Sequence, residues 1–256
     1  MNWVLGFAVW AVASSSSAAP GIAIPGGRFA PLFGLDRAQE SLPVAAFALD
    51  AVPVSNEDFA QFLQSAPSWK PGSVSKALAD SKYLSHLDGG VAPVDFTRAP
   101  VTWVSWFAAE AYCESKGGRL PTTLEWEYVA AADETRRDAS KDARFVERIL
   151  GWYSKPFSTR DLLGPGSPPN AYGIAKLHGV AWEWTLDFNG VFVTGDNRQD
   201  GDKQSQFFCG NASTGSARRE DYAAFMRYAL RASLKSRSTL GNLSFRCAYD
   251  VKEPAP

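Results

Sequence analysis

Histidine and methionine are scarce in this chain, two of each in 256 residues. His86 and His178 cannot by themselves build a three-histidine metal centre. Cysteine is rare as well. Cys113, Cys209 and Cys247 form no CxxC spacing, which excludes a zinc ribbon, a thioredoxin-like redox motif and a haem-attachment site. Neither sign of charge is in excess: 26 Lys and Arg stand against 27 Asp and Glu, a formal net charge of −1. A general nucleic-acid binder carries a basic excess or stripe, so nucleic acid is not an expected partner. No internal repeat and no linker between two folding units interrupts the chain.

Long apolar runs are also missing, apart from WVLGFAVWAVA at 3–13. That run is too short for a bilayer, which needs about 20 residues. Small residues follow at 14–19, before Pro20. This is the layout of a secretory signal peptide, with Ser16 and Ala18 as the small residues of the cleavage site. Residues 1–18 are therefore expected to be a signal peptide and 19–256 a single domain, periplasmic or secreted, with no transmembrane segment once the signal is removed. An odd cysteine count in an exported protein implies one disulfide and one free thiol, and spacing alone leaves all three pairings open.

Tryptophan, glycine and proline are plentiful, at 9, 21 and 16. Such a composition places much of the chain in well-packed loops. Apolar residues at 45% and charged residues at 21% are ordinary for a globular protein. Phe47 and Leu49, then Val52 and Val54, alternate as short strands do. Ser55 precedes Phe59, Phe62 and Leu63 on one helical face and is a plausible N-cap. The pattern recurs at 100–116: residues 100–104 look strand-like, Ser105 caps, and Trp106, Ala109, Tyr112 and Cys113 fall at helical spacing. Gly117 and Gly118 end that helix. Thr122 or Thr123 opens another. Residues 133–145 are charge-rich, a solvated helix face or loop. Arg119 lies beside Glu125 and Glu127, and a buried pair with one of them would hold the Gly117-Gly118 turn. After residue 170 the strand signals are short and broken.

PVTWVSWFAAEAYCESKGGRLPTTLEWEYVAAA (100–132), NAYGIAKLHGVAWEWTLDF (170–188) and NLSFRCA (242–248) resemble three signature blocks of the formylglycine-generating enzyme family, also called sulfatase-modifying factors. PGGRF (25–29) and PVSNEDFAQFL (53–63) resemble its opening blocks. The resemblance implies an α+β fold like a C-type lectin, with mixed short strands, few helices and much irregular backbone. It also implies a disulfide between Cys113 and Cys247, which leaves Cys209 as the free thiol.

Enzymes of that family hold copper with two cysteines and use oxygen to turn a substrate cysteine into formylglycine. QSQFFCGNASTG (204–215) is the matching region, and Cys209 stands where the first of the two is expected. No cysteine occurs from 210 to 246, and Gly210 and Gln206 replace a histidine and a serine of the family pattern. Trp182 matches the tryptophan lining the oxygen pocket. Cys209 and Trp182 are thus the candidate catalytic residues, with Cys209 a possible copper ligand beside Met226 or His178. The family's calcium site maps to Lys176, Gly179, Ala181 and Glu183. There a lysine replaces an asparagine ligand, so calcium is not expected and Lys176 is expected to pair with Glu183. The helical pattern at 221–230 maps beneath the family's substrate groove.

Four functions follow. The first is an exported accessory or maturation factor for a periplasmic protein or peptide, without formylglycine-forming activity. The second is an oxidoreductase or copper-binding enzyme using Cys209 and Trp182. The third, iron chemistry of the ergothioneine-forming type on the related fold, needs three histidines and is excluded. The fourth, carbohydrate binding, rests on fold analogy alone.

Overall fold

The computed structural model describes residues 20–32, 40–87, 89, 92–189 and 219–251. The expected signal peptide and Cys209 lie outside the described residues.

Short strands and separate helices make up the domain, an α+β arrangement. β1 (Ile22–Ile24), β4 (Phe47–Leu49) and β7 (Ala248–Asp250) form an antiparallel sheet with β4 in the centre. β2 (Gly27–Phe29) and β3 (Leu42–Val44) make an antiparallel pair, and β5 (Trp182–Glu183) pairs in parallel with β6 (Leu243–Ser244). The central strand is buried along its whole length, and Phe47 and Leu49 pack with Trp126, Val129 and Ile174.

The first four helices each start where a polar side chain satisfies orphan backbone N–H groups. Ser55 caps α1 (Asn56–Ser65) and Ser105 caps α2 (Trp106–Ser115). Thr122, not Thr123, caps α3 (Thr123–Ala130), in a capping box completed by Glu125. Asp142 caps α4 (Ala143–Tyr153), so the charge-rich run is mostly loop before the helix. The last helix, α5 (Arg219–Ser233), packs on α4. Past α2, Gly117 takes φ 76°, a left-handed conformation that suits glycine.

Two expected strands do not form. Residues 52–54 are irregular, with Val52 47% exposed, because Val54 is bonded to Phe245 and Val101 one residue at a time and starts no ladder. Residues 101–104 are interrupted by Trp103, whose φ is 54°. A non-glycine residue there costs roughly 1–2 kcal/mol. Trp103 is held by donating its N–H to Leu240 at 2.9 Å and accepting from Leu84 at 2.8 Å.

Cys113 in α2 and Cys247 beside β7 form a disulfide with Cα atoms 5.4 Å apart, across 134 residues of sequence. The bridge ties the helical side of the core to the central sheet. Arg119 forms a bidentate pair with Glu125 at 2.7 and 2.8 Å and also reaches Asp250. Of the two candidates it is Glu125 that holds the turn after α2.

Candidate functional site

The site is built outward from β5. Glu183 points inward and is fully buried, while its neighbour Trp182 faces a groove and is half-buried. Alternation along a two-residue strand is enough to place a carboxylate in the core and an indole at the surface. The groove has a volume of about 420 Å³ and runs between the end of α4, the loop at 155–166 and the segment leading into β5. Tyr153 packs against Trp182 with ring centroids 4.5 Å apart. Lys155, Phe157 and Arg160 stand on the rim, and Asn242, just before β6, closes the far side.

Behind the groove lies a buried polar network. Glu183 accepts from Arg246 at 2.8 Å on each oxygen and from the Trp126 indole at 2.8 Å. Arg246 also donates to the carbonyls of Asp50 and Ala175. Glu127 in α3 receives Arg227 and Arg231 from α5, at 2.6 and 2.7 Å. Both guanidiniums lie against the Trp126 ring, that of Arg231 4.7 Å from its centre. Burial opposes the ionised form of Glu127, but the two arginines outweigh it and hold the carboxyl down to about 2. The same carboxylate keeps Arg227 protonated against its own desolvation.

His178 connects this network to the groove. Its Nε2 lies 3.1 Å from the carbonyl of Ala130, so that nitrogen carries the proton and donates. Nδ1 is then the acceptor for the Tyr153 hydroxyl at 3.1 Å, and the Tyr153 oxygen in turn accepts from Arg227 at 3.3 Å. Donors run one way, from Arg227 through Tyr153 and His178 to Ala130. Burial, reinforced by Arg227, pushes His178 down to about 3, so the ring is neutral. The chain fixes the Tyr153 ring, and hence the floor beneath Trp182.

The expected Lys176–Glu183 pair does not form. Lys176 makes no side-chain ion pair or hydrogen bond among the described residues, and its backbone is left-handed, at φ 58°. Arg246 is the internal cation instead, satisfying Glu183 and two carbonyls at once. Gly179 and Ala181 line the groove wall. A calcium ion needs about 6–8 oxygens. With the Glu183 carboxylate already engaged by Arg246 and Trp126, this set of residues does not fit one.

Copper is the metal that the family resemblance implies. A two-thiolate centre needs two free cysteines, and the disulfide takes two of the chain's three. His178 has both ring nitrogens engaged and offers no lone pair to a metal. Among the described residues no group of three His, Cys, Asp or Glu converges. The residues of this chain do not fit a two-thiolate copper centre. Arg246, Glu127, Arg227 and Tyr153 were not singled out as a site from sequence. The only signal was an RC dipeptide and an Arg-containing helix with no visible acidic partner.

Residues 9–251 match the model of the sulfatase-modifying factor enzyme 1-like domain. The chain belongs to that family. The sulfatase-modifying-factor domain here is 26% identical to a formylglycine-generating enzyme of Mus musculus, over 81% of this chain and 67% of that protein. It is 28% identical to an inactive C-alpha-formylglycine-generating enzyme 2 of the same organism, over 63% of this chain and 67% of that protein. A serine/threonine-protein kinase pkn1 of Chlamydia pneumoniae is 29% identical over 66% of this chain, and there the chain spans only 28% of the relative's length. Among the described residues no helix is long and apolar enough to cross a membrane.

Proposed function

We propose that this sulfatase-modifying-factor domain is an exported accessory or maturation factor that presents the Trp182 groove to a partner protein or peptide and does not form formylglycine. One observation carries the reading: Cys113 and Cys247 are consumed in a disulfide, which leaves Cys209 as the single thiol of the chain. Two soft thiolate ligands are what hold Cu(I) in the enzymes, and one thiol is a much poorer site. A relative named as inactive supports the idea that the fold serves without this chemistry. Export to the periplasm or secretion is proposed from the apolar run at 3–13 and the small residues after it. A structural disulfide is consistent with that, since such bonds persist in oxidising compartments.

The second reading, an oxidoreductase or copper-binding enzyme using Cys209 and Trp182, draws on one feature: Trp182 is half-buried in a groove, not sealed in the core. Cu(I) titration of the protein and of Cys209→Ala separates the two. The accessory reading expects no tight stoichiometric binding in either. Tight binding lost in Cys209→Ala supports the second reading and overturns the first.

A further inference from the structure

We infer that the groove beside Trp182 takes an extended acidic segment of a partner protein, with its carboxylates read by Lys155 and Arg160. The inference rests on the proposed role of this groove as the partner-facing surface. Three charged side chains line the groove. The carboxylate of Asp161 is already engaged, accepting the N–H of Ser158 at 2.6 Å in the capping box of a short 3-10 helix at Thr159–Leu163. Lys155 and Arg160 are exposed and form no ion pair among the described residues. Asp161 keeps its negative charge, because a neutral N–H cancels none of it, but Lys155 and Arg160 outnumber it and the three sum to +1 on the rim, although the whole chain carries −1. A rim of this kind selects by sign and accelerates encounter more than it adds affinity.

The rest of the groove suits a peptide. Phe157, 41% exposed, and the rings of Tyr153 and Trp182 offer apolar area for side chains between the carboxylates. Asn242 has a side-chain amide with no hydrogen-bond partner among the described residues, and one amide can both donate to and accept from a peptide bond. Gly179, Val180, Ala181 and Trp182 line one wall of the groove in succession, and an extended chain can run alongside them. A fully apolar partner would leave Lys155, Arg160 and Asn242 without counterparts, and a basic one would meet like charge.

The test uses the full-length protein and fluorescein-labelled peptides of alternating Asp and Val, with Asn–Val and Lys–Val peptides as controls, read by anisotropy. The Asp–Val peptide should bind about tenfold or more tightly than the Asn–Val peptide, with a preference that weakens as salt rises. Reversing both rim charges, Lys155→Glu with Arg160→Glu, should abolish that preference and favour the Lys–Val peptide. Both side chains are exposed and unpaired among the described residues, so an unchanged thermal melt is the check that the variant folds. Equal binding of the Asp–Val and Asn–Val peptides, or no effect of charge reversal, overturns the inference. So does equal sensitivity to charge reversal in binding to anionic lipid vesicles or to a polynucleotide. Trp182→Ala keeps the two levels apart. If it weakens peptide binding that shows no charge preference, the acidic assignment falls and the groove remains a partner site. If neither variant changes binding of any peptide, both fall.

Discussion

Arg246 grips Glu183 through both carboxylate oxygens, at 2.8 Å each, and neither side chain has any exposure to solvent. The pair sits directly behind the strand that carries Trp182, and the Trp126 indole and the carbonyls of Asp50 and Ala175 complete its hydrogen bonds. Removing one partner strands a buried charge. Arg246→Met or Glu183→Leu should each cost about 3–5 kcal/mol. The double variant should cost less than the sum, because no unpaired charge remains. Urea denaturation of the three variants measures this, and strict additivity of the single effects would show that the two charges are not coupled.

Lys176 should matter little for stability. Its side chain has no partner among the described residues, so Lys176→Ala should stay within about 0.5 kcal/mol of wild type. Its φ of 58° suits glycine better than lysine. Lys176→Gly should therefore be neutral or stabilising, by up to about 1 kcal/mol. Thermal melts decide it; a large loss in Lys176→Ala would restore the lysine as the cation for Glu183.

Acid should destabilise the protein in two stages. His178 falls from 6.5 to about 3 on folding and His86 to about 4, so below pH 6.5 the unfolded chain binds protons that the folded chain refuses. Their contribution to stability is whole above 6.5 and declines as pH falls through that window. Glu127, lowered from 4.5 to about 2 against its burial by Arg227 and Arg231, adds a second decline below 4.5. Each group supplies a slope of up to about 1.4 kcal/mol per pH unit. His178→Gln, whose amide can keep both the Tyr153 and Ala130 contacts, should remove about half of the slope that the two histidines supply between pH 6.5 and 4.5. Denaturation midpoints of the two proteins across that range give the comparison, and identical slopes would mean that His178 is protonated in the folded state.

Replacing Cys113 and Cys247 by Ala should cost about 2–5 kcal/mol, since the bridge closes a long loop. The effect should appear as a lower midpoint in non-reducing denaturation. Non-reducing peptide maps of wild type should contain the 113–247 bridge, and a bridge to Cys209 would contradict the structure.

Local features were readable from the sequence. Ser55, Ser105 and a threonine at 122 or 123 stand just before apolar helical periods, and capping depends only on residues a few positions apart. The class of fold and the facing cysteines came through resemblance of the 100–132, 170–188 and 242–248 blocks. What stayed hidden depends on distant contacts. Glu183 and Arg246 are 63 residues apart and Glu127 and Arg227 are 100 apart, so no window of sequence shows that they pair. Lys176 stands at the position of a calcium ligand in the family pattern, and that resemblance pointed to it as the partner of Glu183 in place of Arg246. Likewise residues 101–104 have strand composition, yet Trp103 is pulled into a left-handed turn by Leu84 and Leu240, which no propensity reports.

The central claim is that a sulfatase-modifying-factor domain with one free thiol does not form formylglycine. Incubation with a sulfatase-type cysteine peptide, oxygen and added copper, followed by mass spectrometry, tests it directly. The expected result is no aldehyde above a control without protein; aldehyde that accumulates with time and disappears in Cys209→Ala would contradict it.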